Sequence, residues 1–310
     1  MNLNQKFFSN IGFNYLILAI ITIIIQIAGA NIIHLINGEL LNNYNFAVIF
    51  TAICNYIIPL PIFLYLMKRL KKDDIEKNTV NIKTFITYIA ITMTLMWIGN
   101  TIGIFITTGL GMLISNNISN PIQELISTSD IWLNLILISI IAPIFEEFIF
   151  RKLLIDRTIK YGVRVSIIIS ATMFALYHGN LNQFFYAFFM GGFFAYVYAK
   201  TGKIQYTIAL HIIINFLGSV MSPIIATNLQ ALQSGTATPT DIGLILVYII
   251  IYLTALVIAT LKLCRYKEYK TNGSKTKISL DNPYKTMFIN YGMICFIGFF
   301  TFKIIQQIIS

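Results

Sequence analysis

A chain of 310 residues with 57% apolar and only 11% charged side chains cannot clothe the surface of a soluble globule of that length. The mean hydropathy of +0.75 makes lipid the solvent for much of it. The net charge of +10 does not point to nucleic acid, because Lys and Arg fall in short blocks between apolar runs, as topology determinants do.

A hydrocarbon core of about 30 Å takes roughly 20 apolar residues as helix. Runs meeting that measure predict an all-α, polytopic transmembrane bundle of about eight or nine spans. They lie near 11–36, 45–67, 84–115, 131–158, 164–180, 183–200, 204–222, 241–264 and 286–308. The small residues Ala28, Gly29 and Ala30 have the look of a signal-peptide cleavage site, but the apolar stretch exceeds an h-region and continues through Ile32 and Ile33, so an uncleaved span is expected. The third run is long enough to tilt or break, with Gly103, Gly109 and Gly111 as weak points. Residues 116–130, with Pro121, predict a short helix at the outer surface. The last run carries Lys303 and is the weakest span.

Basic residues alternate between loops. Lys6 precedes the first span; Lys68, Arg69, Lys71, Lys72 and Lys77 follow the second; Arg157, Lys160 and Arg164 follow the fourth. Lys200 and Lys203 follow the sixth, and Arg265, Lys267 and Lys270 the eighth. The intervening loops near 37–44, 116–130, 179–182 and 223–240 have neither Lys nor Arg. A multi-pass protein of the cell membrane with a cytoplasmic N-terminus is the expectation. Cys54, Cys264 and Cys295 are odd in number and scattered, which suits apolar packing rather than a disulfide or zinc framework.

Ionisable groups inside spans are costly and therefore functional candidates. Three clusters stand out. In Glu146-Glu147-Phe148-Ile149-Phe150-Arg151, Glu147 and Arg151 lie four apart and share a helical face, while Glu146 is rotated about 100° away. One carboxylate is thereby neutralised and the other left free for chemistry. Phe174 and His178 form a second i,i+4 pair, and His211 and Asn215 a third. His34, near the end of the first span, reads as a packing residue.

Depth sharpens the grouping. At 1.5 Å per residue, His178 lies roughly 21 Å from Arg164, while Asn215 and His211 lie roughly 18 and 12 Å from Lys203. If the fourth helix runs on to about Lys160, Glu146 reaches roughly the same level, and Arg151 is buried against Glu147 instead of marking the membrane edge.

The ordered motifs Glu-Glu-x-x-x-Arg, Phe-x-x-x-His and His-x-x-x-Asn, with Gly191-Gly192 and Tyr198 to Gly202 between them, resemble the CPBP (Abi) intramembrane peptidases over about residues 140–220. That family includes the type II CAAX prenyl endopeptidases and bacterial proteins linked to bacteriocin immunity. The resemblance implies that Glu146 acts as general base on a water held by His178, with His211 and Asn215 donating to the oxyanion and Glu147, Arg151 and Phe174 in support. It implies a catalytic core at 131–222, between N-terminal transmembrane helices at 1–130 and C-terminal ones with a basic cytoplasmic loop at 223–310. The substrate it implies is a hydrophobic or lipidated peptide or protein within lipid. No cofactor is favoured. Zinc on Glu146, His178 and His211 is the alternative, against which stand the missing His-Glu-x-x-His pattern and the poor ligand quality of Asn215. A non-catalytic immunity or scaffold protein of the same fold and an ion-coupled transporter are the competing functions; no inverted repeat favours the latter. Neither the substrate nor an oligomeric state is set by any feature of the sequence.

Overall fold

The computed structural model describes residues 1–114, 118, 120–264 and 278–309. Their secondary structure is helical, with no strand among the described residues. The helices, in chain order, are α1 (Leu3–Asn42), α2 (Tyr44–Lys68) and α3 (Ile82–Ile114), then α4 (Pro121–Thr128) and α5 (Ile131–Tyr161). After these come α6 (Val163–Tyr177), α7 (Leu181–Thr201), α8 (Ile204–Gln233), α9 (Pro239–Cys264), α10 (Pro283–Phe288) and α11 (Tyr291–Ile309).

Seven of these, α1, α2, α3, α5, α8, α9 and α11, are long and apolar enough to cross a bilayer. The chain is thus a multi-pass helical membrane protein. The two remaining predicted spans fall on α6 and α7. α6 has only 15 residues, and α7 opens on Asn182 and Gln183. Their position explains why they need less apolar character: α7 packs along both α6 and α3, enclosed by the others. Tyr198, Phe194, Ala195 and Val197 of α7 are fully buried, whereas Val247, Ile250, Leu253 and Val257 of α9 are more than half exposed, as a lipid-facing surface requires.

Several expectations change. The third run does not break: α3 is continuous through its glycines, since glycine lowers helix propensity without forbidding it and packing against α7 and α9 holds it. His34 is exposed near the end of α1 and is not a packing residue. Of the cysteines, Cys54 is buried but Cys295 is exposed on α11. Arg265, Lys267 and Lys270 lie outside the described residues. The 116–130 helix is found as α4, started by Pro121 and capped by Asn120, whose side chain accepts from Gln123 N–H.

Two features hold the bundle around its site. The extended segment 71–81 is strapped across the ends of α5 and α7, with Asp73 N–H donating to Asp156 O at 2.7 Å and Asn78 N–H to Thr201 O at 2.8 Å. α1 and α11 also meet, touching backbone to backbone where Ser9 and Gly12 of α1 face Gly292 of α11. Lipid offers no hydrophobic drive between helices, so such close approach of small residues supplies packing instead. A Gly292→Ala substitution should lower the thermal midpoint of the detergent-solubilised protein, with a cost of about 1–3 kcal/mol for forcing a methyl into filled space. Gly298→Ala on the same helix, where nothing lies within 4 Å of an added Cβ, should leave the midpoint unchanged in the same melting assay.

Candidate active site

The acidic pair sits on α5 in a short α-helical stretch, Ala142–Glu147, between two π-helical stretches, Asn134–Ile141 and Phe148–Leu153. In the first, Ala142 N–H reaches back five residues to Leu137 O. The next residue in that register is Pro143, which has no N–H, so Ile138 O loses its partner. Asn215 of α8 supplies one: its Nδ2 donates to Ile138 O at 2.9 Å. A proline thus creates the acceptor that docks α8 beside the acidic pair. Ser139 and Ser219 add a second polar rung between these helices, their hydroxyls 2.8 Å apart.

Glu147 and Arg151 are completely buried, with Arg151 Nε 3.1 Å from Glu147 Oε2. The guanidinium is fixed from three sides. Its Nη1 donates to Ser170 Oγ at 3.1 Å, Ser170 Oγ donates in turn to Phe150 O at 2.8 Å, and the guanidinium carbon lies 4.5 Å from the centroid of the Phe174 ring. The other oxygen of Glu147, Oε1, accepts from His211 Nδ1 at 3.0 Å. So Glu147 serves two cations or donors on two different helices, where the i,i+4 spacing had given it only Arg151.

Glu146 is placed differently. Its side chain is 20% exposed. Oε1 accepts from the Tyr56 hydroxyl at 2.9 Å, and Oε2 lies 3.7 Å from His211 Nε2. That separation exceeds a direct hydrogen bond and leaves the second oxygen uncommitted. Tyr56 was not among the sequence candidates. It belongs to the π-helical turn Ile53–Ile57 of α2 and stacks on Phe145, ring centroids 5.2 Å apart. The one available signal was Asn55-Tyr56, a polar dipeptide within an apolar run; Asn55 itself accepts from Gln26 Nε2 at 2.8 Å.

His178 caps the end of α6. The Phe174 carbonyl, one of the last four in that helix, has no intrahelical acceptor role to fill and lies 2.8 Å from His178 Nδ1. A carbonyl only accepts, so Nδ1 carries the proton and Nε2 is the free ring nitrogen. The chain then turns through Gly179 at φ +66°, a left-handed conformation that suits glycine. Asn180 opens α7 by accepting from Gln183 N–H at 2.9 Å. Phe174 lies at the centre of the cluster, edge-on to His178 at 4.7 Å and to His211 at 5.9 Å. Gly191 makes room for it: a Cβ there would lie 2.9 Å from Phe174 Cδ1.

Glu146, His178, His211 and Asn215 all line one cavity of about 860 Å³, as do Phe174 and Tyr56, whereas Glu147 and Arg151 stand behind its wall. Asn215 reaches this space with one amide hydrogen already committed to Ile138. The set Glu146, His178 and His211 does not gather as a metal-holding group: among the described residues no cluster of three His, Cys, Asp or Glu side chains does so.

Comparison with known proteins bears on this segment. Residues 128–217 match the family described as type II CAAX prenyl endopeptidase Rce1-like. Over 90 residues the chain is 33% identical to a Bacillus subtilis (strain 168) protein named "Putative membrane peptidase YdiL". That stretch covers 29% of this chain and 37% of the relative. No solved structure matches the chain. One match carries the name of a prenyl endopeptidase and the other that of a "putative membrane peptidase", and together they bear out the resemblance carried by the three motifs.

Removing one partner of the buried pair should be costly, because it strands a charge. Arg151→Met is expected to destabilise by about 3–5 kcal/mol, and replacing Glu147 and Arg151 together by Leu and Met should recover much of that loss. Thermal melts of the two variants check this; a double variant as unstable as the single one would contradict it.

Proposed function

From an Rce1-like segment set in a polytopic helical bundle, we propose that the chain is an intramembrane endopeptidase in which Glu146 activates a water for attack on a peptide carbonyl. The observation that carries this reading is the division within the acidic pair. Glu147 is committed to Arg151 and His211 behind the cavity wall, while Glu146 faces the cavity with Oε2 unclaimed.

The steps follow from the hydrogen bonds. His178, protonated on Nδ1, offers the lone pair of Nε2 and accepts one hydrogen of the water. Glu146 Oε2 removes the other as the oxygen attacks, and the proton later passes to the leaving amine. Tyr56 holds Oε1, so the carboxylate presents one fixed oxygen rather than rotating. Negative charge on the carbonyl oxygen is met by His211 and by the second amide hydrogen of Asn215. Glu147 accepts from His211 Nδ1 and so fixes the imidazole with Nε2 turned toward Glu146 and the cavity. Arg151 and Phe174 fix Glu147 and the two imidazoles. No step calls for a metal.

The substrate class is a hydrophobic or lipidated peptide, either a prenylated C-terminus or an unmodified apolar segment, reached within the cell membrane. The alternation of basic loops supports a cytoplasmic N-terminus. Nothing in the cavity favours nucleic acid.

Glu146→Gln should keep the fold and lower kcat on an apolar or farnesylated peptide by about 10²–10⁴-fold, as loss of a general base does. Tyr56→Phe should lower it by a smaller factor. Product formation by mass spectrometry in liposomes checks both, and normal turnover by Glu146→Gln would remove the proposed base. Toxin immunity that survives that substitution would favour a scaffold. Cleavage should persist in chelator with no metal in the purified protein; activity restored only by zinc would overturn the metal-free assignment.

A further inference from the structure

The same cavity has a second charged side chain that this chemistry leaves unused. Lys303 of α11 lines it together with Phe300, one turn earlier. Its stem runs over the turn that follows His178, since a Cβ on Gly179 would lie 3.7 Å from Lys303 Cε and 3.8 Å from Cβ and Cδ. That turn is held firmly against α11. Leu181 N–H donates to Gln307 Oε1 at 3.2 Å, and the Tyr177 and Phe300 rings are 5.2 Å apart. The stem of Lys303 therefore lies against the turn that follows His178.

Among the described residues, its ammonium makes no hydrogen bond or ion pair. The other charged side chain on the cavity wall, Glu146, is turned toward Tyr56 and His211. A cation inside a span without a partner is expensive and calls for an anion from outside the chain. α11 continues for six residues past Lys303, which sets the lysine backbone about 9 Å inside the helix end. An anion carried into the cavity by its occupant reaches it more directly than a lipid headgroup at the surface.

We propose that Lys303 binds the free C-terminal carboxylate of the substrate peptide, and so selects bonds within the last few residues of a chain. The inference rests on the peptidase reading. An extended peptide advances about 3.3 Å per residue. A carboxylate held beside the His178 turn therefore leaves the carbonyl at Glu146 a short way upstream, and a chain that continues past the cavity lacks the anion at that point.

The test uses the full-length protein in nanodiscs and fluorescein-labelled peptides ending in Cys-Val-Ile-Ala, farnesylated and unmodified, each made as free acid and as carboxamide. Wild type should bind the acid about 10–100-fold more tightly than the amide, the range of a charge-assisted hydrogen bond. Glu146→Gln should keep that preference. Lys303→Met should bind both forms as wild type binds the amide, and Lys303→Arg should restore part of the preference. Equal affinity of wild type for acid and amide would overturn the assignment, as would equal weakening of both peptides by Lys303→Met. A preference that depends on phosphatidylglycerol in the disc and vanishes with phosphatidylcholine would place a lipid phosphate on Lys303 and overturn it too. Cleavage of the bound peptides is scored separately: binding with acid preference but no cleavage would remove the peptidase reading and leave the carboxylate site standing.

Discussion

The arrangement depends on one carboxylate, that of Glu147, held without solvent between Arg151 on its own helix and His211 on another. A buried charge is tolerated only where its partners are fixed, so these contacts determine where three helices stand. Arg151 reaches from α5 to Ser170 on α6 and lies over the Phe174 ring. His211 brings α8 to the same point, and Phe194 of α7 closes the ring cluster with its centroid 5.4 Å from His211. Four helices thus converge on a single ionic group, and the cavity is the space left in front of it.

The adjacency of Glu146 and Glu147 then acquires a physical meaning. Consecutive residues on a helix point about 100° apart, so two neighbouring carboxylates cannot serve the same partners. One faces the protein and is neutralised there. The other faces the cavity, carrying only the Tyr56 hydrogen bond and an unmet neighbour at 3.7 Å. Local backbone geometry assists this split. The pair lies between two π-helical stretches, and Pro143 frees the Ile138 carbonyl that anchors Asn215. Departures from regular helix are costly in lipid unless each freed backbone group finds a partner, which this one does.

Much of this was legible in the sequence because helix periodicity is rigid over short distances. The i,i+4 spacing placed Arg151 on Glu147 and His178 under Phe174, and depth from the basic loops required α5 to continue past Arg151, as it does to Tyr161. Contacts between distant helices were not legible. The polar neighbour Asn55 is the one local mark on Tyr56, and it does not point to Glu146, 90 residues away. The second partner of Glu147 and the docking of Asn215 on Ile138 depend on how α8 packs, which spacing does not encode. His34 faces outward, since spacing alone does not set which way a histidine near a helix end points.

The central claim is that Glu146 acts on water rather than on the peptide itself. Single-turnover cleavage in H₂¹⁸O, with enzyme in excess over peptide, tests it most directly. Attack by an activated water places one ¹⁸O in the new C-terminal carboxylate and leaves the Glu146-containing fragment of the protein unlabelled. Unlabelled product with ¹⁸O in the Glu146 side chain would instead mean that the carboxylate attacked the carbonyl to form an anhydride, and would contradict the account.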